Sequence, residues 1–213
     1  MSQPVAPISP VTGLPLPMTS SLPFSLPRHA VGSASVLNMP NVDLEGIMRH
    51  LANDDTRRTW PLWQEEESLA FIARGREYRS EFHINHSHEF QYSLRGDLYL
   101  HYRTPDGKEH VAHVPEGSCL YQPPLVPHSP RFGPDAFQLV IERKRRPGEV
   151  DKFHWFCQKC DAFLHEETFV VSDYMADPVS RAYERFFTSE AFRTCKHCGT
   201  VMPAPDAFKA KAA

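Results

Sequence analysis

The chain has 213 residues, 41% of them hydrophobic and 23% charged, with a formal net charge of −3 at pH 7. That length buries one good core with room for a small annex, and the slightly acidic balance offers no basic face to nucleic acid or an anionic membrane. No apolar run approaches the roughly 18 residues of a membrane span, and the first residues lack a basic segment and are interrupted by prolines, so no secretory signal is expected and a cytoplasmic setting is.

Residues 1–40 carry eight of the twenty prolines and no acidic residue, which predicts an extended N-terminal tail. A short helix follows, with Leu44, Ile47, Met48 and Leu51 at i, i+3, i+4 and i+7 and Asn41 as its cap. From about Ser68 to Arg145 the pattern is strands and turns. Leu98, Leu100 and Tyr102 alternate with Asp97, Tyr99 and His101, and Thr104-Pro-Asp-Gly107 reads as a hairpin turn. Gly96, Gly117 and Pro123-Pro124 punctuate further strands, and Phe137–Ile141 reads as a buried one. Short strands without interleaved helices predict an all-β sandwich or barrel. After Pro147 the character changes. A helix starts at Asp177-Pro178 with Val179, Ala182, Tyr183, Phe186 and Phe187 on its apolar face. The expected division is a proline-rich extension (1–40), a barrel with its leading helix (41–148) and a cysteine-bearing subdomain with a helix (149–213).

Four of the five cysteines fall in two pairs, Cys157-x-x-Cys160 and Cys195-x-x-Cys198. With no secretion expected, this spacing predicts metal ligation rather than disulfides. Four thiolates make a closed tetrahedral site for a structural Zn or a rubredoxin-type Fe. The fifth, Cys119, sits between Ser118 and Leu120-Tyr121 and is expected to be a small buried residue.

A second cluster is His83-Ile-Asn-His-Ser-His-Glu-Phe90, with His128 following Pro123-x4. Side chains two apart share a strand face, so His83 and Glu89 have one parity and His86 and His88 the other. The two sets compete. A His86/His88 pair gives the His-x-His arrangement of many metal barrels, whereas His83, Glu89 and His128 give two imidazoles and one carboxylate on one face. We favour the second set, which leaves three octahedral positions open, as in the facial triad of non-haem Fe(II) oxygenases. His86 and His88 are then expected at the rim or in solvent.

Residues 79–143 resemble the 3-hydroxyanthranilate 3,4-dioxygenase family of cupin enzymes. The resemblance is carried by Arg79-Ser-Glu-Phe-His83, Glu89-Phe-Gln-Tyr-Ser-Leu-Arg-Gly96, Pro123-Pro-Leu-Val-Pro-His-Ser-Pro130 and Val140-Ile-Glu-Arg143. Phe153-His-Trp-Phe-Cys-Gln-Lys-Cys160 is similar to the first half of the metal knuckle found in the family's bacterial members, and the likeness spans about residues 60–202. It implies a double-stranded β-helix (a cupin jelly roll) with a rubredoxin-like knuckle, and a homodimer. It also implies His83, Glu89 and His128 as ligands of catalytic Fe(II), Arg79 as a cation facing substrate or oxygen, and Glu142 as a hydrogen-bonding partner of substrate. The reaction implied is insertion of both atoms of O2 into a 2-aminophenol carboxylate, opening the ring to a muconate semialdehyde.

Two departures from the family fall where the substrate carboxylate is read. The family's second pocket arginine has Arg131 or Phe132 in its place, and Trp60-Pro61-Leu62 stands where a pocket asparagine is usual. Only an arginine matches a carboxylate as a bidentate fork. An isomer such as 4-amino-3-hydroxybenzoate is therefore an alternative substrate. A non-enzymatic, metal-dependent ligand sensor and a different enzyme on the same barrel, such as an isomerase or a thiol dioxygenase, are the alternative functions.

Overall fold

The computed structural model describes residues 42–63, 67–76, 78–171 and 178–209; the expected tail and the Asn41 cap lie outside them. Residues Asp43–Ala213 form one unit. Helix α1 (Leu44–Ala52) is capped by Asp43, whose carboxylate accepts the Gly46 N–H at 2.9 Å. Its Met48 and Leu51 are buried against Ile72 and Phe137, with Leu44 and Ile47 beside them, as the spacing predicted.

Eleven strands follow among the described residues. They are β1 (Thr59–Trp63), β2 (Ser68–Arg74), β3 (Phe82–Ile84), β4 (Glu89–Arg95), β5 (Leu98–Arg103), β6 (Glu109–Val114), β7 (Cys119–Gln122), β8 (His128–Arg131), β9 (Phe137–Arg143), β10 (Asp151–Phe156) and β11 (Phe163–Phe169). They pair antiparallel in two sheets, ordered β1-β2-β9-β4-β7 and β11-β10-β3-β8-β5-β6. Inward residues of both sheets line one cavity, the arrangement of a cupin jelly roll. The β5–β6 hairpin turns at Thr104–Gly107, where Gly107 takes φ +81° and donates to the Thr104 carbonyl at 2.8 Å.

Three strands were not anticipated. β1 precedes the expected strand region, and β10 and β11 follow Pro147, where a helix was the only element expected. β10 joins the second sheet beside β3. Its Phe153 and Trp155 form a core with Ala182, Phe186 and Phe187 of α2 (Pro178–Thr188), and the Trp155 and Phe186 rings stack at 4.0 Å. Two short helices, α3 (Glu190–Arg193) and α4 (Asp206–Lys209), are the last elements among the described residues.

Cys119 was expected to be buried. It is exposed, because β7 is the edge of its sheet and alternates Cys119 and Tyr121 outward with Leu120 and Gln122 inward.

Candidate metal centre and its cavity

The chain crosses from the second sheet to the first within residues 83–90. Asn85, Ser87 and Glu89 are buried and His86, His88 and Phe90 exposed, so the alternation runs unbroken through the corner. The corner is held from both sides. Ser87 N–H donates to the Asn85 side-chain oxygen at 2.9 Å, the Arg143 N–H to the Ser87 hydroxyl at 2.8 Å, and the Leu125 N–H to the Asn85 carbonyl at 2.8 Å. Two of the four candidate ligands in this stretch, His86 and His88, are thereby turned to solvent.

His83 on β3 and His128 on β8 are register partners, and Glu89 begins β4 between Gln122 of β7 and Glu142 of β9. One ligand atom from each of His83, Glu89 and His128 lies within 4.8 Å of the others. His128 Nε2 is 3.4 Å from Glu89 Oε1. His128 Nδ1 lies 2.9 Å from the Val126 carbonyl and 2.8 Å from Gln122 Nε2, and these contacts fix the ring with Nε2 toward Glu89. Asn85 and Gln91 donate to the two Glu89 oxygens at 2.6 and 2.9 Å, and Gln91 also donates to Gln122 at 3.1 Å. Burial raises the Glu89 pKa, but the neighbouring histidines and these donors outweigh it and hold the group below the usual carboxylate range.

A second network supports the site from β10. His83 Nε2 is 2.7 Å from Asp151 Oδ2, and Arg145 grips both Asp151 oxygens at 2.6 and 2.7 Å and Glu142 Oε2 at 2.7 Å. A carboxylate on a ligand imidazole fixes the ring's tautomer and orientation. Burial, followed by the charge of Glu89, pushes Glu142 up to about 8, against the pull of Arg145. Asp151 goes the other way: burial is outweighed by Arg145 and His83, and its pKa falls to about 2.

The cavity measures about 790 Å³ and takes in His83, Glu89, His128, Arg79, Arg131 and Glu142, so every barrel residue expected at the site lines it. Arg79 precedes β3 rather than lying on it, so strand parity is not what turns it inward. Arg131 and Phe132 both line the wall. Arg131 lies 3.7 Å from Glu109 and 5.8 Å over the Phe82 ring, while Phe132 packs on the Leu98–Leu100–Val114 cluster. Trp60 and Leu62 pack under α1, and Thr59 faces the cavity instead.

The four cysteines converge as well, with Sγ atoms within 4.8 Å of one another and the Cys157–Cys198 and Cys160–Cys195 pairs at 3.6 Å. That is close to the roughly 3.8 Å edge of a tetrahedron built on Zn–S bonds of about 2.3 Å, and well beyond a disulfide bond of about 2.05 Å. The two knuckles repeat one backbone pattern. Asp161 N–H donates to the Cys157 carbonyl as Gly199 N–H does to Cys195, each at 2.8 Å, and both residues have positive φ. Asp161 tolerates that conformation and pairs with Arg103, whose guanidinium lies 3.5 Å over the Phe156 ring. Cys157–Asp161 thus form part of the cavity wall.

Sequence reasoning missed Asn85, Gln91, Gln122, Arg145 and Asp151. The signal for Gln91 was present: in Glu89-x-Gln91-x-Ser93 polar residues hold inward positions of a strand, which calls for a polar cavity or network.

Both donor sets fit a metal: one mixed and three-membered at a cavity, the other all-thiolate and four-membered. The comparisons agree with this geometry. A family model described as 3-hydroxyanthranilic acid dioxygenase matches residues 60–187. Proteins named 3-hydroxyanthranilate 3,4-dioxygenase are similar over about two thirds of this chain. The one from Bacillus cereus is 39% identical over 142 residues, covering 67% of this chain and 79% of the relative. Those from Shewanella woodyi and Xanthomonas campestris pv. campestris are each 34% identical, covering 68% and 69% of this chain and 76% and 82% of theirs. The chain belongs to the 3-hydroxyanthranilic acid dioxygenase family of ring-cleaving enzymes, the family its histidine–glutamate motif resembles.

Proposed function

We propose that this enzyme is an Fe(II)-dependent dioxygenase that opens the ring of a 2-aminophenol bearing a carboxylate, with 3-hydroxyanthranilate as substrate and an aminocarboxymuconate semialdehyde as product. One observation carries the reading: His83, Glu89 and His128 converge at the wall of a cavity large enough for one aromatic ring. His83, Glu89 and His128 would hold iron, which would supply redox chemistry toward O2 beside the bound ring.

The chain's own residues do the rest. Phe71, Phe82 and Val140 give the cavity apolar walls that exclude water from the ring. Arg79 presents a cation at the cavity and stabilises negative charge as it develops on oxygen. Glu142, register partner of Glu89, offers a hydrogen bond to the ring's amino or hydroxyl group and so orients it. Arg131 adds a second cation for the substrate carboxylate. A second Fe or Zn at the cysteine knuckle is structural, since four thiolates leave no open position. The assembly is a homodimer, in keeping with the resemblance, and the setting cytoplasmic, in keeping with reduced cysteines.

A second candidate substrate is the isomer 4-amino-3-hydroxybenzoate, whose carboxylate stands elsewhere on the ring. Arg131 already faces Glu109, which alters how a carboxylate is read on that wall. The test loads the protein with Fe(II) anaerobically, then admits air and each compound in turn, following oxygen uptake and the ring-opened chromophore. Uptake with either compound supports the reading and names the substrate. Binding without oxygen uptake points instead to a ligand sensor, and neither binding nor uptake removes the proposal.

A further inference from the structure

One face of α2 poses a question that packing alone does not answer. Val179, Ala182, Phe186 and Phe187 are apolar, yet Tyr183 among them carries a hydroxyl. A buried tyrosine hydroxyl needs a partner, and this one donates to Glu81 Oε1 at 2.6 Å. Glu81 is 1% exposed. The same Oε1 lies 2.7 Å from Arg79 Nε, with the N–H axis out of line, so the contact is electrostatic rather than a hydrogen bond. Glu81 Oε2 accepts from the Ser80 N–H at 3.3 Å. An ion pair without directional hydrogen bonding is held in place by whatever else fixes the carboxylate. Here those are the Ser80 N–H and Tyr183, whose hydroxyl accepts from Arg76 at 3.4 Å and whose ring is held by Phe153 at 5.3 Å and by the Arg76 guanidinium at 5.6 Å.

We propose that Tyr183 is a positioning residue for the reaction: its hydroxyl fixes the Glu81 carboxylate, and Glu81 fixes the Arg79 guanidinium at the cavity wall. The proposal deepens the reading above and rests on it only for what Arg79 does. Through Tyr183, the helix that leads to the second cysteine pair reaches a cation of the cavity.

Tyr183→Phe keeps the ring and removes only the hydroxyl. The first measurement needs no turnover. In ¹⁵N–¹H spectra of the arginine Nε–H groups, with Arg79 assigned by the signal lost in Arg79→Lys, Tyr183→Phe is expected to shift that signal and speed its exchange with water about tenfold. An unchanged Arg79 signal overturns the proposal. The second is a double-mutant cycle on ring opening of 3-hydroxyanthranilate by the iron-loaded enzyme. Tyr183→Phe lowers kcat/KM about tenfold with metal content and melting temperature kept, and has no further effect in an Arg79→Gln background. Equal fractional losses in both backgrounds overturn the proposal, because a merely structural role is indifferent to Arg79. A wild-type protein that opens no ring defeats the function reading alone, and the spectra then decide the role of Tyr183.

Discussion

The barrel site and the cysteine knuckle border the same cavity but are built on opposite terms. The barrel offers three ligands of mixed type from strands β3, β4 and β8, each buttressed by a polar neighbour: Asp151 on His83, Asn85 and Gln91 on Glu89, Val126 on His128. The knuckle offers four identical ligands from two turns that repeat each other's backbone bonds. The first arrangement needs much of the fold to assemble it and, with three protein donors, would leave positions open on a metal. The second is local at each end and with four donors would leave none, so metal binding there would be available to stability rather than chemistry.

Metal analysis of variants is the sharpest way to break that contrast. Glu89→Ala is expected to abolish ring opening and empty the barrel site while the knuckle keeps one metal per chain. Metal retained in the barrel, or activity above background, defeats the assignment. Cys160→Ser does the reverse. It loses the knuckle metal and lowers the melting temperature by about 10 °C or more, while kcat per folded molecule stays within about threefold. A folded variant with an intact barrel metal but no turnover contradicts a purely structural knuckle. In the native protein a thiol reagent should find Cys119 alone, the other four reacting only after chelation. Asp151→Asn sharpens the picture at an intermediate level. It costs about 10- to 100-fold in barrel-metal affinity or activity, read by titration against a competing chelator, and leaves the knuckle untouched. The smallest effect belongs to Asp43→Ala, which removes the α1 cap for about 1 kcal/mol, or roughly 2–4 °C in melting temperature, with kcat unchanged.

That Glu89 turns inward while His86 and His88 turn out was legible in the sequence, because these residues obey a local rule. The period-two alternation from Asn85 to Ser93 sorts Glu89 from its histidine neighbours even through a corner. The knuckle was legible from spacing alone. Asp151 and Arg145 were not, because β10 reaches His83 across 68 residues of chain and nothing near Asp151 announces that pairing. Cys119 was misread for a related reason: apolar neighbours tell that a strand is present but not which of its faces meets solvent at an edge. The cap of α1 is Asp43, two residues after the Asn41 expected, because its side-chain oxygen accepts the Gly46 N–H of the first turn.

β3 is three residues long and lies between β8 and β10. A strand that short has little hold on its own, so His83 takes its final orientation only once the segment carrying Asp151 has been synthesised and has docked. His83 thus depends for its partner on a residue 68 positions further along the chain, and the geometry of the site is a property of the closed second sheet rather than of the segment that carries His83 and Glu89.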